Sequence, residues 1–200
     1  GVYSVVHHIL VFLQEPGVMY PGMPGELMAA YAPGFPPVVA PPGMAMRARK
    51  GSKIVFQMHY TPDGVDRDDN SYFGVTYADP ASVEYRVHVQ NAINFTFKIP
   101  AHADNMPVVA TRKTGRDCLL LGLNPHMHQR GKSYTYEAVY PDGKKEILLD
   151  IPRFDFNWQI PCMYKEPHTL PAGTKLVCTG VFDNSENNLS NPNPSQDVKW

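Results

Sequence analysis

Two hundred residues with 43 % hydrophobic content can bury one large or two small cores, and a formal net charge of -1 removes the electrostatic basis for binding nucleic acid. Charged residues stand at 18 % against roughly 25 % in ordinary globular chains, and the 20 prolines are about twice the usual share. Helices are therefore not expected to dominate. No stretch approaches the roughly 18 uncharged apolar residues of a membrane span, so no membrane insertion is expected, and Gly1 opens the chain without the basic and apolar segments of a signal peptide.

Apolar runs rich in β-branched and aromatic residues recur along the chain, separated by Pro, Gly, Asn and Asp, and predict an all-β chain of sandwich or barrel type. The first run, Val5 to Leu13, carries His7 and His8 in consecutive positions of core quality. Burying two imidazoles without partners costs several kcal/mol, so a metal or a hydrogen-bonded network is expected to compensate. Neighbouring residues on a regular strand face opposite sides, so a shared metal requires an irregular strand there, or coordination through Nδ1 of one ring and Nε2 of the other; a bulge at 7 to 8 is expected.

Residues 16 to 42 hold eight prolines and four glycines. Proline lacks the amide donor of a ladder, so this segment reads as a long loop, either a linker or an ordered excursion of the first domain. Strands are predicted over 53 to 60, 72 to 77, 84 to 89, 94 to 99, 118 to 123, 133 to 140, 145 to 151 and 174 to 182. Pro62-Asp63-Gly64 and Pro141-Asp142-Gly143 suit tight turns between antiparallel strands. Asp183 to Pro194, DNSENNLSNPNP, reads as a polar surface loop. A domain boundary is placed near 80 to 90, giving an N-terminal domain over 1–85 and a C-terminal domain over 86–200. Three cysteines, Cys118, Cys162 and Cys178, are too few for a disulfide scaffold.

His126 and His128 flank Met127. On an extended chain residues i and i+2 project from one face, so both rings reach one metal without rearrangement; the competing reading is two polar residues on a solvated face. His59 lies on the predicted strand 53 to 60, where a single histidine is ordinarily structural. His88, His102 and His168 have no candidate ligand beside them in sequence and read as structural or surface residues. Imidazole suits Zn, Cu, Ni and Fe, and alternation turns Met58 and Met127 away from their neighbouring histidines. Zinc hydrolysis is disfavoured because no Glu or Asp adjoins the clusters as a general base.

The ordered set Val6-His7-His8-Ile9, Gln57-Met58-His59-Tyr60 and Pro125-His126-Met127-His128 with Gly131-Lys132 resembles the copper type II, ascorbate-dependent monooxygenases, the family of the peptidylglycine α-hydroxylating and dopamine β-monooxygenases. The likeness continues through NFTFKIPA at 94 to 101 and PHTLPAGTKLVCTGVFDNS at 167 to 185, and HYTPDG, PHMHQRGK and FDFNWQ are nearest to bacterial members.

The resemblance implies two antiparallel jelly-roll-like β-sandwich domains and two copper ions per complete protein. His7, His8 and His59 would hold the electron-transfer copper, and His126 and His128, with a methionine, the oxygen-binding copper. It implies hydroxylation of a substrate C–H bond with O2 and a reductant such as ascorbate, making His126 and His128 the catalytic pair. The implied partners are a small-molecule substrate and a reductant, with further domains of a longer chain, and the implied location is periplasmic or secreted.

The family's methionine ligand falls after the position matching Trp200. Asn124 stands where the peptide-amidating enzyme has its carboxylate-clamping arginine, which argues against a peptidylglycine substrate. Cys178 matches a cysteine whose disulfide partner lies near that methionine. A copper-binding or electron-transfer module without catalysis is the alternative function.

Overall fold

The computed structural model describes residues 5–199 other than Pro21, Pro33 and Gln159. The chain is all-β, with a single 3-10 turn at Pro80–Ser82 as the helical element among the described residues. It divides into two compact units, Gly1–Gln90 and Asn91–Trp200.

In the first unit, β1 (Val6–Gln14) is the central strand of an antiparallel sheet, flanked by β2 (Glu26–Tyr31) and β4 (Lys53–Tyr60). Val11, Phe12 and Leu13 of β1 are buried, as β-branched and large apolar residues in a central strand should be. β3 (Met44–Ala45) and β5 (Tyr85–Arg86) form a short parallel ladder.

β2 lies inside the segment expected to be loop. Its prolines fall outside Glu26–Tyr31, so the six residues between them keep every amide that pairing with β1 requires. Gly25, at its entrance, is required by close approach: a Cβ there would stand 2.6 Å from the Leu13 carbonyl oxygen. The strands expected over 72 to 77 and 84 to 89 reduce to Tyr85–Arg86. Tyr72 and Tyr77 are exposed, and without a ladder partner an alternating pattern does not make a strand.

The second unit packs a larger and a smaller sheet, beside a short third one. β7 (Met106–Lys113), β12 (Lys175–Phe182), β9 (Gly131–Val139) and β10 (Lys145–Ile151) form the larger in the order β10-β9-β12-β7; β8 (Cys118–Leu123) pairs with β11 (Cys162–Leu170) in the smaller. Side chains from both sheets meet in one cluster, where Tyr136 and Cys178 of the larger touch Leu123, Leu120 and Tyr164 of the smaller. A second cluster gathers Ile99, Met127, Phe154 and Phe182.

The Pro141-Asp142-Gly143 turn closes the β9–β10 hairpin: Gly143 takes φ +87° and Asp142 accepts the Lys144 amide at 2.9 Å. Pro62-Asp63-Gly64 turns with Gly64 at φ +79° but joins no hairpin. Of the strand expected over 94 to 99, Lys98–Ile99 forms β6, paired with β13 (Val198–Lys199).

β7 and β11 contain Pro107 and Pro167, which hid them in the sequence. Both are edge strands, where a missing amide costs no ladder bond, and the register of β11 shifts between Met163 and His168 around its proline. The 183 to 194 segment is not merely surface loop, because Asn184 is fully buried and Ser185 nearly so.

All three cysteines are free. Burial pushes the Cys178 thiol up to about 11 and, with the nearby Cys178 charge as a lesser cause, the Tyr134 phenol up to about 12. Their neutral forms belong to the folded state, so this contribution is complete below the unfolded values, roughly 8.5 and 10, and is lost as pH rises toward 11 and 12. The urea midpoint of the second unit should therefore fall between pH 9 and 11, and Cys178→Val should flatten the first part of that fall. A midpoint constant to pH 11 contradicts the assignment.

Candidate metal centres

The first candidate centre is built on an irregularity in the β1–β4 ladder. Val6 pairs with Tyr60 and His8 with His59, so β1 spends two residues where β4 spends one, and His7 is the extra residue of a bulge. The bulge cancels the alternation that would send adjacent side chains to opposite faces. The Nδ1 atoms of His7 and His8 consequently stand 2.8 Å apart, with ring centroids at 4.9 Å. The two rings approach each other through Nδ1.

Two nitrogens each about 2.05 Å from one ion and at right angles to each other lie about 2.9 Å apart, so this pair fits a shared first-row metal. The same contact also satisfies hydrogen-bond geometry when one nitrogen is protonated.

His59 faces His8 across the ladder, its ring stacked at 4.0 Å and tilted by 27°. Stacked rings carry their lone pairs in near-parallel planes, so His59 must rotate about its side-chain torsions to turn a nitrogen toward the His7–His8 pair. That geometry accounts for the finding that, among the described residues, no group of three His, Cys, Asp or Glu side chains stands ready to hold a metal ion. His59 is exposed, and exposed rotamers interconvert in picoseconds to nanoseconds. The burial penalty expected for His7 and His8 does not apply as such, because His7 is exposed and His8 half-buried. Register, rather than the need to compensate buried polar groups, brings the rings together.

The second candidate centre follows β8. Residues 124 to 128 belong to no strand, but burial alternates along them, with Pro125 and Met127 buried and His126 and His128 exposed, so both imidazoles emerge on one side. Their centroids are 5.2 Å apart and the rings nearly perpendicular at 85°. Two imidazoles on one ion, each centroid about 3.2 Å from it, are about 5.2 Å apart at the tetrahedral angle.

Met127 pegs this segment from behind. It is 3 % exposed and sits so close to Gly131 and Gly180 that a Cβ on either would approach its side chain to 2.6 and 2.7 Å. Met127 therefore belongs to the core, as the alternation indicates.

The turn after His128 is fastened to the 183 to 191 loop. Gly131 N–H donates to the His128 carbonyl at 2.8 Å, Asp183 N–H to the Arg130 carbonyl at 2.8 Å, and Asn188 Nδ2 to the Gln129 carbonyl at 3.3 Å. Arg130 Nε donates to Asn184 Oδ1 at 2.7 Å, and Asn184 Nδ2 donates to the carbonyls of Pro100 and Gln196 at 2.8 and 2.9 Å. Arg130 and Asn184 were not singled out from sequence. Their one signal was polar character next to core strands, in the QRGK turn and the DNS that follows β12.

The remaining histidines are engaged elsewhere: His88 with Glu26, His102 with Glu186, and His168 with the Tyr140 hydroxyl. Among the described residues no helix is long and apolar enough to cross a membrane. Compared with models of known protein families, the chain matches none, and no curated protein matches it.

Proposed function

We propose that the chain is the core of a copper-dependent monooxygenase, hydroxylating a C–H bond of a small molecule with O2 and an external reductant such as ascorbate. The observation that carries this reading is the bulge at His7. An extra residue in a central strand is retained where it re-aims a side chain, and here it turns the Nδ1 atoms of His7 and His8 toward each other, 2.8 Å apart, opposite His59.

His7, His8 and His59 would hold one copper, and His126 and His128 the other, joined by a methionine if the resemblance extends beyond Trp200. Copper, when bound, supplies one-electron redox chemistry and activation of oxygen. The protein's own part is positional. The bulge holds two imidazoles in register, His59 swings to complete the set, and Met127 with Gly131 fixes the backbone between His126 and His128. The resemblance also carries an extracytoplasmic location, periplasmic or secreted.

A second reading is a copper-binding or electron-transfer module of the same fold without catalysis. What supports it is that the described residues of the second centre bring together two imidazoles, His126 and His128, which suffice to bind a metal.

Copper-loaded protein should consume O2 with ascorbate as reductant, and His126→Ala should slow this at least about a hundredfold while leaving copper at the first centre. Consumption indifferent to His126→Ala contradicts the monooxygenase reading. Copper uptake with no consumption above that of free copper selects the module.

A further inference from the structure

Next to the second centre lies a pocket of 140 Å³ whose wall includes His128, Arg130, Lys199, Phe97 and Phe182. Its apolar side is rigid: Phe97 and Phe182 stack with centroids 5.3 Å apart and an interplanar angle of 26°, and Phe182 is 8 % exposed within the core cluster. A dry cavity of about 150 Å³ accepts one benzene molecule, which sets the size of what this pocket can take.

Its polar side is cationic. Arg130 has no ion pair with a carboxylate among the described residues; two of its nitrogens are directed instead to the neutral Asn184 side chain at 2.7 Å and the Asn193 carbonyl at 3.4 Å. Lys199 shares the field of Asp197, but that carboxylate is already bound by Lys98 and by the Ala101 N–H. Two cations on one small apolar pocket repel each other, and an anion placed between them relieves that repulsion. The guanidinium is presented in a fixed orientation because buried Asn184 holds its Nε, leaving the rest of its planar fork of donors for a carboxylate.

We infer that this pocket is the substrate site of the second centre and takes a small organic anion, a carboxylate carrying one ring or a short branched chain. The inference rests on the monooxygenase reading for the word substrate alone; the binding site itself stands without copper. The apolar group lies against Phe97 and Phe182, the carboxylate meets Arg130 and Lys199, and His128 borders the bound molecule.

The test uses the metal-free chain, so that its outcome is independent of copper. Phenylacetate and its neutral isostere phenylacetamide are titrated by calorimetry and by amide chemical shifts. The acid should bind at least about tenfold more tightly than the amide, shifting resonances of residues 128 to 131. Arg130→Gln should weaken the acid at least about tenfold and leave the amide unchanged, and Lys199→Gln should weaken the acid about threefold. Lys199 is exposed on a terminal strand, so its variant keeps the test valid where Arg130→Gln disturbs the Asn184 contacts. No saturable binding of phenylacetate, equal binding of acid and amide, or indifference to both variants overturns the inference. A chain that binds the acid but takes up no copper keeps the pocket and removes the monooxygenase reading.

Discussion

Asn184→Ala should destabilise the second unit by roughly 3 kcal/mol and lower its thermal midpoint by about 10 °C or more. Asn184 has no exposed surface, and every hydrogen-bonding atom of its side chain is used. Nδ2 donates to the Pro100 and Gln196 carbonyls, while Oδ1 accepts from Arg130 Nε and from Asn191 Nδ2 at 3.0 Å. Its backbone N–H donates to the Ala103 carbonyl. Alanine removes all four side-chain bonds at once and leaves part-buried groups at Pro100, Arg130, Asn191 and Gln196 without them. Each stranded group costs about 1–3 kcal/mol before relaxation and water entry reduce the total.

Asn184→Asp separates hydrogen bonding from volume. The carboxylate gains Arg130 but faces two carbonyl oxygens with no proton to offer, so it too should destabilise, despite being isosteric. Thermal unfolding followed through the near-ultraviolet signal of the second unit checks both variants. A loss of less than about 1 kcal/mol in Asn184→Ala would mean that the loop is held by other contacts.

Deleting His7 should lower copper affinity at the first centre by about a hundredfold or more, a loss of roughly 2.7 kcal/mol. The deletion removes the bulge, restores a regular β1–β4 ladder and leaves His8 opposite His59. Val6, now adjacent to His8, stays opposite Tyr60, and Val11, Phe12 and Leu13 keep their register, so the core of the sheet survives. His7→Ala preserves the bulge and removes only the ring, and should lose affinity to a similar degree. Isothermal titration with Cu(II) in a competing chelator measures both. If the deletion and native chains bind alike, the bulge has no part in binding metal.

Legibility from sequence followed local density of signal. Lys53–Tyr60, Cys118–Leu123 and Lys145–Ile151 form the strands their apolar, β-branched runs predict, to the residue. The bulge at 7 to 8 was also readable, because two adjacent imidazoles can share a face only if the ladder is broken there. Strands carried by tertiary context were not. β2 reads as ELMAAY, rich in helix formers and hemmed by prolines, and it is a strand because β1 lies beside it. β7 and β11 accept proline because they lie at sheet edges, a property of topology. Asn184 is the extreme case: its role comes from the convergence of segments near residues 100, 130, 191 and 196, and polar character beside a core strand is its one mark in the sequence.

A metal site formed by His7, His8 and His59 at a bulge is tested most directly by counting copper. Native protein is loaded with Cu(II), dialysed exhaustively and analysed by inductively coupled plasma mass spectrometry beside His59→Ala, with circular dichroism confirming that both are folded. The native chain should retain at least about one copper and the variant markedly less, because two remaining imidazoles hold the ion far more weakly than three. A native chain that retains no copper, or a folded His59→Ala chain that retains as much as the native, contradicts it.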